Sequence, residues 1–338
     1  MCHQVIQEVV RKKLKPSYKK CQPVVEYFSE NLFIKIADGE HGVFKKQYIP
    51  FSESILKHIK EKNTHLGILC FRLGQTIAAN GDYHKSIALY EKVRKTYETL
   101  LPENSYEISN LYNDWGIAYR HLHKYEESIN YLLKSIEIKE MLIAQADASE
   151  ISQLGISYQN LGVAYRYLGK YDLSIDSFQK AADILQNQEE PYLLGLAALY
   201  MNMGSAYRLT KDYVKSLEYH SLSIKLYEEN VGLEHPDLAT VYNNIAYTYS
   251  AKNEAHKSLE YTLKAVKINE QHLEPTHPYL IISYSNLALD FFEIGNFKEA
   301  KFYMDNVVAV RKKTLQEDDS DLIKVIEWQK RINTALIG

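Results

Sequence analysis

The chain has 338 residues, 46% hydrophobic and 25% charged, which excludes a disordered segment and suffices for two ordinary domains or one elongated repeat array. A net charge of -3 argues against nucleic-acid binding, and no apolar run approaches the roughly 20 residues that a membrane span requires. Cys2, Cys21 and Cys70 stand far apart without a CxxC, and no secretory leader pattern occurs, so the expectation is a reducing, cytoplasmic setting with neither disulfides nor zinc.

Residues 1–60 are basic, with eleven Lys or Arg against six Asp or Glu, and the remainder is acidic. The run Arg11-Lys12-Lys13-Leu14-Lys15 reads as a solvated helix face, with a phosphate-contacting surface as the alternative. An apolar-striped helix is predicted from His3 to Arg11, and Pro16 interrupts it. Further on, Ser52 is a candidate N-cap with Glu53 in the first turn. Periodicity predicts an irregular helical cap or linker over residues 1–65. The stretch His3-Gln4-Val5-Ile6-Gln7-Glu8-Val9-Val10-Arg11 resembles the His-x-x-Val-Gln-x-x-Val-Arg helix that follows the winged-helix region of STAND-class ATPases (NB-ARC and NACHT-type switches), with Ile6 replacing Val. The resemblance covers nine residues and implies the sensor half of a signalling switch. The motor half is not in this sequence, since no G-x-x-x-x-G-K-[ST] occurs.

From residue 66 the chain repeats. An apolar residue followed by a small one recurs at Leu73-Gly74, Trp115-Gly116, Leu161-Gly162, Met203-Gly204, Ile245-Ala246 and Leu287-Ala288. The small residues are 42, 46, 42, 42 and 42 positions apart, and the extra four residues are expected in the linker near 144–150. Other columns keep the same clock. Tyr119, Tyr165, Tyr207, Tyr249 and Phe291 lie three residues after the small position. Tyr112, Tyr158, Tyr200, Tyr242 and Tyr284 lie four before it, and Ser86, Ser128, Ser174, Ser216, Ser258 and Ala300 twelve after. Spacings of three and four put these residues on one helix face. Small residues let two helices approach, and aromatics fill the space around the contact. Turns such as Asn80-Gly81-Asp82 and Leu168-Gly169-Lys170 supply a glycine for positive φ at a helix end. Each unit is therefore a helix hairpin that must stack on neighbours to bury its apolar faces.

This pattern resembles the tetratricopeptide (TPR) repeat, over residues 66–317, and its 42-residue period is similar to that of kinesin light chains and many bacterial TPR proteins. The resemblance implies an all-α, right-handed superhelical solenoid of six hairpins, about 66–107, 108–153, 154–195, 196–237, 238–279 and 280–317. Residues 318–338 read as a terminal capping helix through Leu322, Ile323, Ile326, Ile332 and Leu336, with Trp328 nearby. In the linkers, His235-Pro236 and His277-Pro278 are again 42 apart. Neither His has a ligand partner at metal spacing, so both read as turn caps.

A polar set also repeats. Asp114, Asn160, Asn202, Asn244 and Asn286 lie two residues before the small position, flanked by Asn113 and Asn243. Arg120, Arg166 and Arg208 lie four after it. The TPR resemblance implies that both columns line the concave face, with Asn160, Asn202, Asn244 and Asn286 bonding the backbone of an extended peptide. An amide both donates and accepts, and an arginine fork suits carboxylates, so an extended and acidic peptide is the expected ligand. Two alternatives stay open: the Asn residues tie neighbouring helices, and the Arg residues are solvated or paired internally. The ladder breaks at the ends, where Arg72 stands in the Asn column and Phe292 in the Arg column. Phe292 with Phe291 and Leu289 is a candidate apolar pocket.

No H-E-x-x-H, G-x-S-x-G or G-x-G-x-x-G occurs, so neither enzymatic activity nor a metal or cofactor is expected. The expected role is a protein-binding scaffold or adaptor, with no nucleic acid and no membrane as partner. Self-association through an uncovered end hairpin is a further expectation.

Overall fold

The structure, a computed structural model, describes residues 17–34, 43, 44, 46–59, 61–188 and 191–337. The helix predicted at His3–Arg11 lies outside the described residues. Among those described, fifteen α-helices and one two-residue β ladder make up an all-α solenoid of helix hairpins that divides into two units, Met1–Tyr192 and Leu193–Gly338.

The first unit begins with α1 (Tyr18–Asn31). Strand β1 (Phe33–Ile34) then pairs antiparallel with β2 (Val43–Phe44), a ladder with no counterpart in the helical periodicity. Helix α2 (Ile49–His58) follows. Ser52 does not cap it. It sits inside the helix, buried, and its hydroxyl donates to the Tyr48 carbonyl at 3.0 Å, because Pro50 starts the helix earlier and needs no N–H partner there. Cys21, Val25, Phe28 and Ile55 pack from these elements onto Leu66, Leu69 and Leu73 of the first hairpin.

Three hairpins complete this unit: α3 (Thr64–Ala79) with α4 (Tyr83–Leu100), α5 (Tyr106–His121) with α6 (Tyr125–Leu142), and α7 (Ala148–Tyr167) with α8 (Tyr171–Gln186). The four extra residues lengthen α7 to 20 residues, against 16 for α5, and do not extend the linker. The reason is a capping box. Asp147 accepts from the Glu150 amide while Glu150 accepts from the Asp147 amide, which starts the helix one turn early.

The second unit holds α9 (Leu193–Leu209) with α10 (Tyr213–Val231), α11 (Pro236–Ala251) with α12 (Ala255–His272), α13 (Pro278–Glu293) with α14 (Phe297–Thr314), and α15 (Ser320–Ile337). His235 and His277 are N-caps: each Nδ1 accepts the amide two residues on, at 3.3 Å, with Pro at the first helical position. Leu322, Val325 and Ile332 of α15 bury against Met304, Val307 and Val308 of α14. The first hairpin is covered by α1 and α2 and the sixth by α15.

Close packing inside each hairpin follows from the small column. A Cβ on Gly74 would lie 2.5 Å from the Tyr90 ring, one on Gly162 2.6 Å from Phe178, and one on Gly204 2.6 Å from His220. The serine column ties the same contact: Ser174 Oγ donates to the Gly162 carbonyl at 2.7 Å and Ser258 Oγ to that of Ala246 at 3.1 Å. Seven residues after the small position the backbone is left-handed in every hairpin, at Gly81, His123, Gly169, Lys211, Asn253 and Gly295. This residue reverses the chain between the two helices.

The tyrosine excess becomes a set of clamps. Fifteen residues after the small position, Tyr131, Tyr219, Tyr261 and Tyr303 each lie between the two aromatic columns of their own hairpin. They stack on Tyr119, Tyr207, Tyr249 and Phe291 at centroid distances of 5.4, 5.4, 5.6 and 5.9 Å.

Candidate functional site

The predicted polar columns lie on the first helices of the second to sixth hairpins, namely α5, α7, α9, α11 and α13. The structure separates them into two groups. Asn113 and Asn243 are 6% and 8% exposed, and both are consumed by the fold. Asn113 donates to Asp114 at 3.2 Å and accepts from Asn160 at 3.2 Å. Asn243 donates to Ser283 at 3.0 Å and accepts from Asn286 at 3.3 Å. These two residues tie successive first helices, which removes them from a ligand surface. Asn160 and Asn286 each spend an amide N–H on that tie, and Asn286 also donates to the Tyr247 hydroxyl at 3.0 Å. The side chains of Asn202 and Asn244 are half-buried and make no hydrogen bond among the described residues.

Arg120 and Arg166 are half-buried, and neither joins an ion pair among the described residues, whereas Arg94 and Arg311 pair with Glu98 and Asp321. Burial pushes the Arg120 guanidinium below its ordinary pKa, opposed by Tyr167 and reinforced by Arg166. The two arginines therefore sense each other from successive hairpins. Arg166 lies 4.9 Å over the Tyr167 ring, with its Nε buried and unbonded. Arg208 lies 5.7 Å over the Tyr247 ring. Each contact lays a planar fork on an aromatic face.

The breaks in the ladder have one cause. Arg72 Nη1 donates to the Glu30 carbonyl of α1 at 3.1 Å. Phe292 packs on Phe297 and on Trp328 of α15, with centroids 5.4 and 5.7 Å apart. The apolar pocket expected at Phe292 is thus filled by the terminal helix. In both end hairpins the column residue serves a cap.

Sequence columns alone missed a polar junction. Lys139 is 1% exposed, and its Nζ donates to Ser157 Oγ at 2.9 Å and the Gln153 carbonyl at 3.4 Å. Burial lowers its pKa to about 8, opposed by the Asp114 carboxylate. Asp114 accepts from Gln75 at 2.6 Å, and its own pKa is raised, chiefly by burial. The signal was present as the one Asp in the column that holds Asn160, Asn202, Asn244 and Asn286. Among the described residues no group of three or more His, Cys, Asp or Glu is arranged to hold a metal ion. No described helix is long and apolar enough to cross a membrane.

Among solved structures, BtubC (BKLC) from P. vanneervenii superposes with a TM-score of 0.55 at 18% identity, over 63% of this chain and 84% of that one. The apo form of RapI gives 0.56 at 12% identity, over 86% and 80%. The APC/C hetero-tetramer Cut9–Hcn1 gives 0.59 at 10% identity, over 97% of this chain but half of that one. At these identities the likeness is one of fold. No curated protein matches the sequence. The tetratricopeptide repeat model matches residues 65–141, 153–229, 195–271 and 237–313, stretches of which the last three overlap and which together span more than half of the sequence, and the chain belongs to the tetratricopeptide repeat family.

Proposed function

We propose that this chain is a non-catalytic adaptor that binds an extended, acidic peptide segment of a protein partner along the first helices of its hairpins. One observation carries the reading: Arg120 and Arg166 sit half-buried on successive hairpins with no carboxylate paired to them. A desolvated guanidinium without a counter-charge is costly, and a ligand carboxylate offsets that cost. In the second unit Arg208 holds the same register position. Asn202 and Asn244, with the remaining hydrogen-bonding capacity of Asn160 and Asn286, suit the peptide backbone, since an amide side chain matches a peptide unit whatever its side chain.

Random-peptide display on the wild-type chain tests this. Asp- and Glu-rich sequences are expected to be enriched, less so at high salt, and the enrichment is expected to vanish with Arg120, Arg166 and Arg208 all changed to Ala. No acidic enrichment, or one that survives the triple change, overturns the acidic-peptide reading.

A second reading rests on His3–Arg11, which resembles a STAND-class segment. In it the chain is the recognition half of a nucleotide-driven switch. Sequencing the gene upstream of the Met1 codon tests it: an in-frame P-loop supports the reading, and a promoter there removes it.

A further inference from the structure

The third hairpin departs from the second, fourth, fifth and sixth at two register positions, and both departures meet at one cavity. Fifteen residues after the small position, the second, fourth, fifth and sixth hairpins carry Tyr131, Tyr219, Tyr261 and Tyr303, each held between two aromatic columns. The third hairpin keeps both flanking rings, Tyr158 and Tyr165, but has Ser177 between them. Eleven residues after the small position, the other five hairpins carry a charge, at Lys85, Glu127, Lys215, Lys257 and Glu299. The third has Leu173, which is 46% exposed. Leu173, Ser177, Tyr158 and Tyr165 line a cavity of about 410 Å³, and Leu133, 44% exposed, stands at its rim. Ser177 turns its hydroxyl onto the Leu173 carbonyl at 2.7 Å and so leaves the cavity lining apolar at that point.

We propose that this cavity is a docking slot for one aromatic side chain of a partner protein. The molecule itself defines the occupant's shape. In four sibling hairpins a tyrosine ring fills the corresponding space, stacked 5.4 to 5.9 Å from the ring three residues after the small position. Removing the ring alone leaves a packing defect, which a monomer has every reason to close. Here the rim has instead exchanged a charge for an exposed leucine, which suits a surface that is covered on binding. Glu137, Glu140 and Asp176 also line the slot, against the single Lys180. Lys180 is paired with Asp176 at 3.1 Å, and Glu140 accepts from the Tyr158 hydroxyl. The rim is therefore net acidic and favours an aromatic residue with a basic neighbour. The slot shares no residue with the Arg and Asn columns, so it stands whether or not the acidic-peptide reading does.

The probe is Nα-acetyltyrosinamide, titrated while the ring resonances of Tyr158 and Tyr165 are followed by NMR. Saturable ring shifts are expected, with Nα-acetylleucinamide binding roughly threefold to tenfold more weakly, the range that an aromatic pair supports. Ser177→Tyr restores the sibling residue, so it is expected to melt higher than wild type and to abolish the shifts. Leu173→Lys restores the sibling charge and is expected to fold normally and weaken the probe. Arg120→Ala with Arg166→Ala is expected to leave probe binding unchanged while removing acidic-peptide enrichment, so the two proposals fail separately. The slot is overturned if the tyrosine probe shifts neither ring, if the leucine probe binds equally well, or if Ser177→Tyr binds the probe like wild type.

Discussion

The junction between the second and third hairpins and that between the fifth and sixth are the same polar knot written in two chemistries. In the first, Lys139 donates to Ser157 at 2.9 Å, and Asn160 donates to Asn113. In the second, at the same register, Asn269 donates to Ser283 at 2.9 Å, and Asn286 donates to Asn243. Where the second unit has Asn244 and Asn269, the first has Asp114 and Lys139. The two exchanges come together, one adding a negative and the other a positive charge. A buried ammonium on a serine hydroxyl is tolerable when a carboxylate nearby supports it, although a neutral amide meets the same geometry without the desolvation cost.

The sharpest way to break this comparison is to separate the two charges. Asp114→Asn leaves Lys139 buried without its counter-charge and is expected to cost about 2 kcal/mol in urea unfolding, less than a contacting ion pair would because the two charged groups do not pair directly. Adding Lys139→Asn, which copies the second knot, is expected to restore most of the loss. A single variant as stable as wild type removes the pairing.

The second prediction concerns a group found only in the second unit. His220 is fully buried against Gly204 with both ring nitrogens unbonded, and burial, helped by Arg208, lowers its pKa to about 3. In the unfolded chain it titrates at its ordinary value, near 6.5. Its neutral form in the fold therefore gives full stability above that value, and stability falls as pH drops from there toward 3. Between pH 7.5 and 5 the expected loss is about 2 kcal/mol. His220→Phe, the residue type at this register in the third hairpin, is expected to flatten that slope, and an unchanged slope excludes His220 as its source.

Next in size, Gly162→Ala gains helix propensity but drives a methyl into Phe178, so a net loss of about 1–2 kcal/mol is expected, partly recovered by Phe178→Met, the residue that stands opposite Ala288. The smallest effect is a gain. Lys211 holds a left-handed φ of 65°, and Lys211→Gly is expected to stabilise thermal unfolding by about 0.5–1 kcal/mol. A loss there means that the lysine side chain contributes more than its backbone strain costs.

The repeat was legible because close helix contacts permit few residue types. Gly at the contact, a ring facing it and a turn residue seven positions on recur with a period long enough to exclude chance. The His caps were legible because Pro follows each one. The fate of the asparagines was not. Asn243 and Asn286 are one register position apart, and it is Asn243 that meets the serine arriving from the next helix, Ser283, and is buried. The lengthened α7 was missed because a four-residue insertion reads equally as loop or as helical turn until Asp147 and Glu150 bond to each other. The slot at Ser177 was hidden because it is an absence, visible only once the sibling rings are seen to be clamped.

The fit between each small residue and its facing side chain also bears on how such an array changes over generations. Gly74 with Tyr90, Gly162 with Phe178 and Gly204 with His220 are matched within one hairpin, while Ala246 stands at the register that Thr262 faces. Duplication or loss of a whole hairpin carries both halves of the match and yields another working unit. A crossover inside a hairpin would set an alanine against a phenylalanine ring, or a glycine against a threonine, and leave overlap or a void. Whole hairpins are therefore the natural currency of change in this chain, and ligand-facing positions can vary from one to the next without disturbing the contact that folds them.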